Sequence, residues 1–356
     1  MSKKITIITR NMLSGGAERV IAQLANYFAD RDICCKIITM DQSEVFYSLN
    51  PSVVVAGIGK QSANRLVDKW LRYGKLRRCI LQDKPDVVLA MPEEIGVYVL
   101  MGLLGTHIPV YVSERNNPWV MPDVKITRIL RSWMYPFAKG FVFQTKMAQS
   151  FFSKKIQEKS RVIPNPVDAG RIPAPYEHKR EKVIVGAGRL EKQKNFPLLI
   201  KAFALFHQRH PDYRLCIFGE GSQRPQLEEM AVALGLQDQV VLPGRKTDLL
   251  EQMNSASMFV LSSDYEGMPN VLIEAMCMGM PVISTDCPSG GPRELIRDGQ
   301  NGLLVPVGEE AAMAQAMESL LDDDFAGRLG KEACAILDDL AGEKIFEQWL
   351  TYLLQQ

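Results

Sequence analysis

Short runs rich in β-branched residues recur along this chain, at 4–9, 33–40, 53–56, 87–90, 110–113, 141–143 and 161–163, with helical stretches between them. A strand–helix–strand rhythm of this kind dictates parallel pairing, because each crossover returns the chain to the same end of the sheet. It also requires helices on both faces. The rhythm stops once. From Pro164-Asn-Pro-Val-Asp168 through Pro173-Ala-Pro175 to Lys182 the chain is proline-rich and polar, as a linker would be. It then restarts at 183–187, 215–218, 240–242, 258–261, 281–284 and 303–305. The expectation is an α/β protein with two covered parallel sheets. A first domain spans 1–165, a second 166–340, and the segment 341–356 carries a final helix from about Gly342 to Leu354. The length of 356 residues agrees, being too great for one ordinary core.

No apolar run approaches the roughly 18–20 residues that span a bilayer, and Met1-Ser-Lys-Lys leads straight into a strand. Neither a membrane span nor a signal peptide is expected, and the expected compartment is the cytoplasm. Seven cysteines without a Cys-x-x-Cys pair, several in apolar segments (Cys34, Cys35, Cys216, Cys277), read as reduced thiols. The four histidines, His107, His178, His207 and His210, are too scattered for a metal site. Net charge is only +1, yet residues up to 165 hold 24 Lys and Arg against 13 Asp and Glu, and the remainder 18 against 28. A basic half points to a polyanion or an anionic membrane face. Within it, eight basic residues over 60–84 face only Asp68 and Asp83 and interleave with Leu66, Trp70, Leu71 and Leu76. Arg65, Lys69, Arg72 and Lys75 recur at helical spacing, a cationic stripe beside an apolar one. That pattern fits an interfacial helix, and also a solvated helix whose apolar side packs on its own domain.

The stretch with the most chemistry is Glu266-Gly-Met-Pro-Asn-Val-Leu-Ile-Glu274, which follows the apolar run 258–261. It reads as a strand end, a tight loop over Gly267, Met268, Pro269 and Asn270, and a helix carrying Glu274 in its second turn. The free amides and positive dipole end of that helix suit phosphate, and two carboxylates beside them suit hydroxyls, so the ligand expected is a sugar nucleotide. Two acids eight apart also fit a solvated helix face. Arg189 follows Gly186-Ala-Gly188 at another strand end, and Lys194 precedes a helix, a pair able to clamp a diphosphate or simply to occupy an exposed loop. Gly15-Gly16 makes a tight turn after the first strand but lacks the three-glycine dinucleotide spacing. Ser113-Glu114-Arg115-Asn116-Asn117-Pro118 follows a strand end, where α/β sheets hold ligands. Glu114, Arg115 and Asn116 are read as cleft wall, the alternative being that they cap the next loop.

The Glu-x7-Glu spacing resembles the signature of retaining glycosyltransferases of family 4, which have the GT-B fold of two Rossmann-like domains with parallel sheets facing a cleft. Gly15-Gly16-Ala17-Glu18-Arg19, Gly188-Arg189-Leu190 with Lys194-Asn195, and Ser289-Gly-Gly-Pro-Arg-Glu294 fall where that family has its other motifs, so the resemblance covers essentially the whole chain. It implies transfer of a hexose or N-acetylhexosamine, with retention, from a nucleoside-diphosphate sugar, a UDP-sugar before others. The implied acceptor is a lipid-diphosphate-linked saccharide of bacterial surface glycan (O-antigen, capsule, exopolysaccharide) or glycoprotein glycan assembly, on the inner face of the cell membrane. It further implies that Glu274 binds the ribose, Glu266 meets the transferred sugar, and Gly15 and Gly16 face the donor. Glycosyltransferases of this kind carry a basic helix near 60–84, and their last helix crosses back to the first domain. The histidine many members have beside the sugar is missing near 113–118. No cofactor, metal or nucleic acid is expected; Asp322-Asp323-Asp324 lies in a polar break between helices rather than in a metal motif. A sugar-nucleotide epimerase of the same fold is the alternative, and it leaves the basic helix without a purpose.

Overall fold

A computed structural model describes residues 3–13, 15–41 and 44–355. The first sheet holds β1 (Lys4–Thr9), β2 (Cys34–Thr39), β3 (Val54–Gly57), β4 (Val87–Ala90), β5 (Val110–Ser113), β6 (Gly140–Phe143) and β7 (Ser160–Val162). The second holds β8 (Glu181–Ala187), β9 (Arg214–Phe218), β10 (Val240–Gly244), β11 (Ala256–Leu261), β12 (Val282–Thr285) and β13 (Leu303–Val305). All neighbouring strands pair in parallel. Their orders are β3-β2-β1-β4-β5-β6-β7 and β10-β9-β8-β11-β12-β13, so each sheet starts in its middle, grows to one edge, then reverses and grows to the other. This is the doubly wound, Rossmann-like arrangement, and every strand anticipated from the β-branched runs is present within a few residues.

The chain divides into two units, one of residues 1–166 with 343–356, the other of 167–342. Because helices cover both faces, strand residues are apolar on both, and whole strands such as β4, β5 and β12 are buried. In the first unit Ile8, Ile38, Val88, Val112 and Phe141 from the sheet pack with Ile80, Val99 and Tyr135 from helices and turns. In the second, Ile184, Ile217, Val260 and Ile283 pack with Leu199, Phe203, Phe206 and Met317.

The helix Gly342–Leu354 ends the chain within the first unit. Ile345, Trp349 and Leu353, four residues apart, form its buried stripe. Tyr27 donates its hydroxyl to Glu347 (2.7 Å), and the Tyr352 ring meets Tyr111 edge-on. The Tyr352 hydroxyl donates to the Lys159 carbonyl (2.6 Å) and accepts from the Phe141 amide (3.0 Å), bridging β6 to the segment before β7. Tyr352→Phe removes both bonds and should lower stability by ~1 kcal/mol, read as a shifted urea midpoint with unchanged slope.

Candidate functional site

In the second unit the strand order reverses between β8 and β11. Loops leaving the carboxyl ends of two such strands diverge, and the gap between them is where an open α/β sheet holds its ligand. Gly188 and Arg189 follow β8, and the loop from Ser262 to Pro269 follows β11. A 3-10 turn, Lys192–Lys194, joins them laterally. The Ser262 hydroxyl donates to the Lys194 carbonyl (2.8 Å), and the Asp264 amide to the Gln193 carbonyl (2.9 Å). Gln193 Nε2 donates to the Tyr265 carbonyl (2.9 Å) and Asn195 Nδ2 to Asp264 (2.6 Å). Asn195, at φ 45°, takes the left-handed conformation that Asn tolerates, and its side chain caps the helix Phe196–His207.

These bonds carry the central pair. Lys194 Nζ donates to Glu266 Oε1 at 2.6 Å, the Ser263 hydroxyl donates to the same oxygen at 2.6 Å, and both charged side chains are largely buried. Lys194 is held by Glu266, because a buried carboxylate needs a counter-charge, while Arg189 projects into solvent. Glu266 is fixed through its backbone as well: its amide donates to the Pro288 carbonyl (2.7 Å) and its carbonyl accepts from the Ser289 amide (2.9 Å). Gly267, Met268 and Pro269 are buried in the loop, and Pro269 is the N-cap of the helix Asn270–Cys277, on which Glu274 is half-buried. Two glycines are required by close approach. A Cβ on Gly291 would lie 1.9 Å from the Gly267 carbonyl oxygen, and one on Gly219 would lie 1.8 Å from that of Gly188.

Beside Arg189 is a cavity of about 180 Å³ lined by Gly188, Arg189, Phe218, Gly219, Glu220, Arg245, Lys246 and Leu249. Glu220, Arg245 and Lys246 were not singled out from the sequence. Their signal was there: Gly219-Glu-Gly221 and Gly244-Arg-Lys246 each follow a strand, as Gly188-Arg189 does. Asp322, first of the three consecutive aspartates, caps the helix Asp323–Ala333 by accepting from the Asp324 and Phe325 amides (3.1 and 3.0 Å).

The remaining expected residues belong to the first unit. Gly15, at the extended N-cap of the helix Gly16–Ala29, exchanges hydrogen bonds with the Tyr47 hydroxyl (3.1 and 2.8 Å). Glu114 is no cleft wall. It is 1% exposed, takes the Tyr135 hydroxyl as partner on Oε1, and lies 3.8 Å from Arg131. Burial, reinforced by nearby Glu93, pushes its carboxyl up to about 8, and Oε2, which faces Arg131, accepts no hydrogen bond. Arg115 is half-buried. Its amide donates to Glu93 (3.0 Å) and Nη2 to Asn165, while Nε and Nη1 are buried without a partner, and burial lowers it to about 10. Asn116 Oδ1 accepts from the Asn117 amide (2.8 Å). The cationic stripe is also corrected. Arg65 and Lys69 are exposed, but Arg72 reaches back to the Met40 carbonyl and Asp41 (2.8 Å), and Lys75 to the Ile58 carbonyl (2.7 Å). Long basic stems on a helix can fold either way, so spacing alone does not fix their side.

Residues 14–171 match the model of glycosyltransferase family 4, and residues 170–335 that of glycosyl transferases group 1. Two Campylobacter jejuni proteins are similar along their length. One is an α-1,4-N-acetyl-D-galactosaminyltransferase acting on a GalNAc-GalNAc-diNAcBac-PP-undecaprenol, 27% identical, with 99% of this chain and 98% of that protein covered. The other is an N-acetylgalactosamine-N,N'-diacetylbacillosaminyl-diphospho-undecaprenol 4-α-N-acetylgalactosaminyltransferase, 29% identical, covering 90% and 91%. Among solved structures, Anabaena HepE in complex with UDP and glucose superposes with a TM-score of 0.82 at 20% identity over 99% of both chains, a likeness of fold.

The raised Glu114 carboxyl gives a pH test. Its folded pKa, about 8, exceeds the ordinary value for an unfolded Glu of about 4.3, so between those values the folded state binds the extra proton. Stability must then fall as pH rises through that window and level off above it. Compared with Glu114→Gln, the wild type should lose up to ~1.4 kcal/mol more per pH unit between about pH 5 and 8, measured by urea unfolding; parallel profiles would refute a neutral Glu114.

Proposed function

This chain belongs to the glycosyltransferases of family 4, and from that premise we propose that it moves a hexose or N-acetylhexosamine from a UDP-sugar to a lipid-diphosphate-linked saccharide in bacterial surface or glycoprotein glycan assembly. The observation that carries the donor side is the cluster at the β8/β11 reversal, where exposed Arg189 stands beside the Glu266-anchored Lys194 and next to an open cavity. A diphosphate is the ligand such a pair suits, Arg binding two oxygens at once and Lys supplying a fixed point charge. The base would enter the cavity between Arg189 and Leu249, and Glu274 would accept from the ribose hydroxyls. The backbone of Gly267 to Asn270 would complete the phosphate cradle.

In the reaction an acceptor hydroxyl attacks the anomeric carbon, the bond from that carbon to the phosphate oxygen breaks, and the departing phosphate takes the acceptor proton. Attack on the face the leaving group vacates retains configuration and needs no protein nucleophile. Negative charge grows on the leaving diphosphate, and pre-placed Arg189 and Lys194 stabilise it where a metal would otherwise serve. Glu266 then has two duties, holding Lys194 in place through Oε1 and offering its second carboxylate oxygen toward the sugar. In the first unit, the two unpartnered guanidinium nitrogens of Arg115 support a polar ligand contact there. Arg65 and Lys69 support an approach to anionic lipid, on the inner face of the membrane.

The direct test is release of UDP from UDP-sugars by the purified protein with and without a polyprenyl-diphosphate saccharide. Release that needs the acceptor is expected, and interconversion of donors without one would favour the epimerase. Arg189→Ala should fold normally and lose turnover by about 10² to 10³-fold, the usual loss on deleting one transition-state anion contact. Near-normal turnover would remove Arg189 from the mechanism. EDTA should leave activity largely intact, and loss restored by Mg²⁺ or Mn²⁺ would overturn the cationic clamp.

A further inference from the structure

The helix Lys125–Met134 is packed inside out. Its inner side carries Arg131, which is buried and donates to the Met121 and Pro118 carbonyls (both 2.8 Å), with Leu130 and Met134 against the core. Its outer side carries Ile126, Ile129 and Trp133, spaced three and four residues apart, and Phe137 follows one turn on. These four are 61% to 70% exposed. Arg128 pins the preceding loop to the helix by donating to the Val120 and Pro122 carbonyls (both 2.7 Å), and that loop exposes Trp119, Val120 and Val124. The Trp119 ring stands edge-on to exposed Phe151 at 5.1 Å, so the apolar surface continues past the loop. Large side chains held at the surface by a rigid frame are a binding face rather than scattered exposure.

Charge selects what covers it. From 115 to 157 the sequence has eight Lys and Arg and one acid, Asp123. The arginines turn inward, while Lys125, Lys139, Lys146, Lys154 and Lys155 on the same stretch of chain are exposed, against exposed Asp123 and, just beyond, Glu158. A second copy seated face to face would set these lysines against their equivalents. An anionic lipid surface neutralises them and takes up Trp and Phe at its headgroup level. No helix among the described residues is long and apolar enough to cross a membrane, so insertion would be shallow.

We propose that Trp119, Ile126, Ile129, Trp133 and Phe137 form a face that inserts into an anionic membrane, with these lysines on the headgroups. This rests on the proposed function only in taking the acceptor to be membrane-anchored. The face is carried by a different helix from the 60–84 stripe and acts through apolar burial, which salt does not screen.

The test uses the full chain and vesicles of phosphatidylglycerol and phosphatidylcholine, comparing wild type with Ile126→Ser/Ile129→Ser/Trp133→Ser. Because these side chains are exposed, the melting temperature should stay the same. Vesicle partitioning should fall about a hundredfold, and brominated acyl chains should quench wild-type tryptophan emission. Transfer to a short water-soluble prenyl-diphosphate acceptor should be unchanged, while transfer to a vesicle-embedded acceptor should collapse. Partitioning equal to wild type would overturn the proposal. So would a wild-type dimer that the substitutions split while vesicle binding is unaffected, which would mark the face as a contact between copies. Vesicle binding by a protein inactive on every acceptor would sink the transferase reading and leave the membrane face standing. Activity on the soluble acceptor with no vesicle binding would do the reverse.

Discussion

The ion pair between Lys194 and Glu266 is the contact on which the second unit's site depends. It ties the turn after β8 to the loop after β11, the two segments that the reversal of strand order drives apart. Hydrogen bonds to main-chain carbonyls from the Ser262 hydroxyl, the Gln193 side-chain amide and the Asp264 backbone amide make the same junction, so the lysine is positioned before any ligand arrives. A cation that must be ordered by its ligand gives up side-chain entropy on binding; one already held by a carboxylate does not. The arrangement also keeps the charge of the pair near zero, leaving Arg189, Arg245 and Lys246 as the exposed positive residues that line the cavity. Deleting Glu266 would therefore be felt through Lys194 as much as directly, and single substitutions here should not add.

The first unit uses burial differently. Glu93, Glu114, Arg131 and Tyr135 form an interior network at the carboxyl ends of β4 and β5, and it fixes the segment carrying Arg115. Burial raises both carboxyls, so the network tends toward neutral partners rather than a row of charges. Arg131 belongs to the same network and to the loop beneath Trp119, which links the polar interior to the apolar face outside. One arginine thus serves two neighbouring pieces of architecture.

Much of the fold was legible because parallel strands buried on both faces leave nearly unbroken β-branched runs, and proline punctuates the linker. The loop over 266–270 and the helix bearing Glu274 were legible for the same reason, a strand ending in a glycine turn with Pro269 opening a helix. What spacing could not reveal was side-chain direction. Arg72 and Lys75 share the helical spacing of Arg65 and Lys69 yet reach inward, since a flexible basic stem can end at a carbonyl or in water. Glu114 sits at a strand end, where ligands gather, but its pleat position points it into the core. Lys194 and Glu266 are 72 residues apart, and their pairing is a product of topology. The apolar face at 119–137 has no distinct sequence signature, because an inverted amphipathic helix has the same periodicity as an ordinary one.

The central claim is that the cavity beside Arg189 and the cation held by Glu266 together take a nucleoside diphosphate without metal. Calorimetric titration of the full chain with UDP in EDTA tests it most directly, with Leu249→Trp as the variant that fills the cavity and leaves the ion pair alone. The account predicts saturable binding by the wild type and its loss in Leu249→Trp at an unchanged melting temperature. Equal affinity in the two proteins, or binding that appears only when a divalent metal is added, would contradict it.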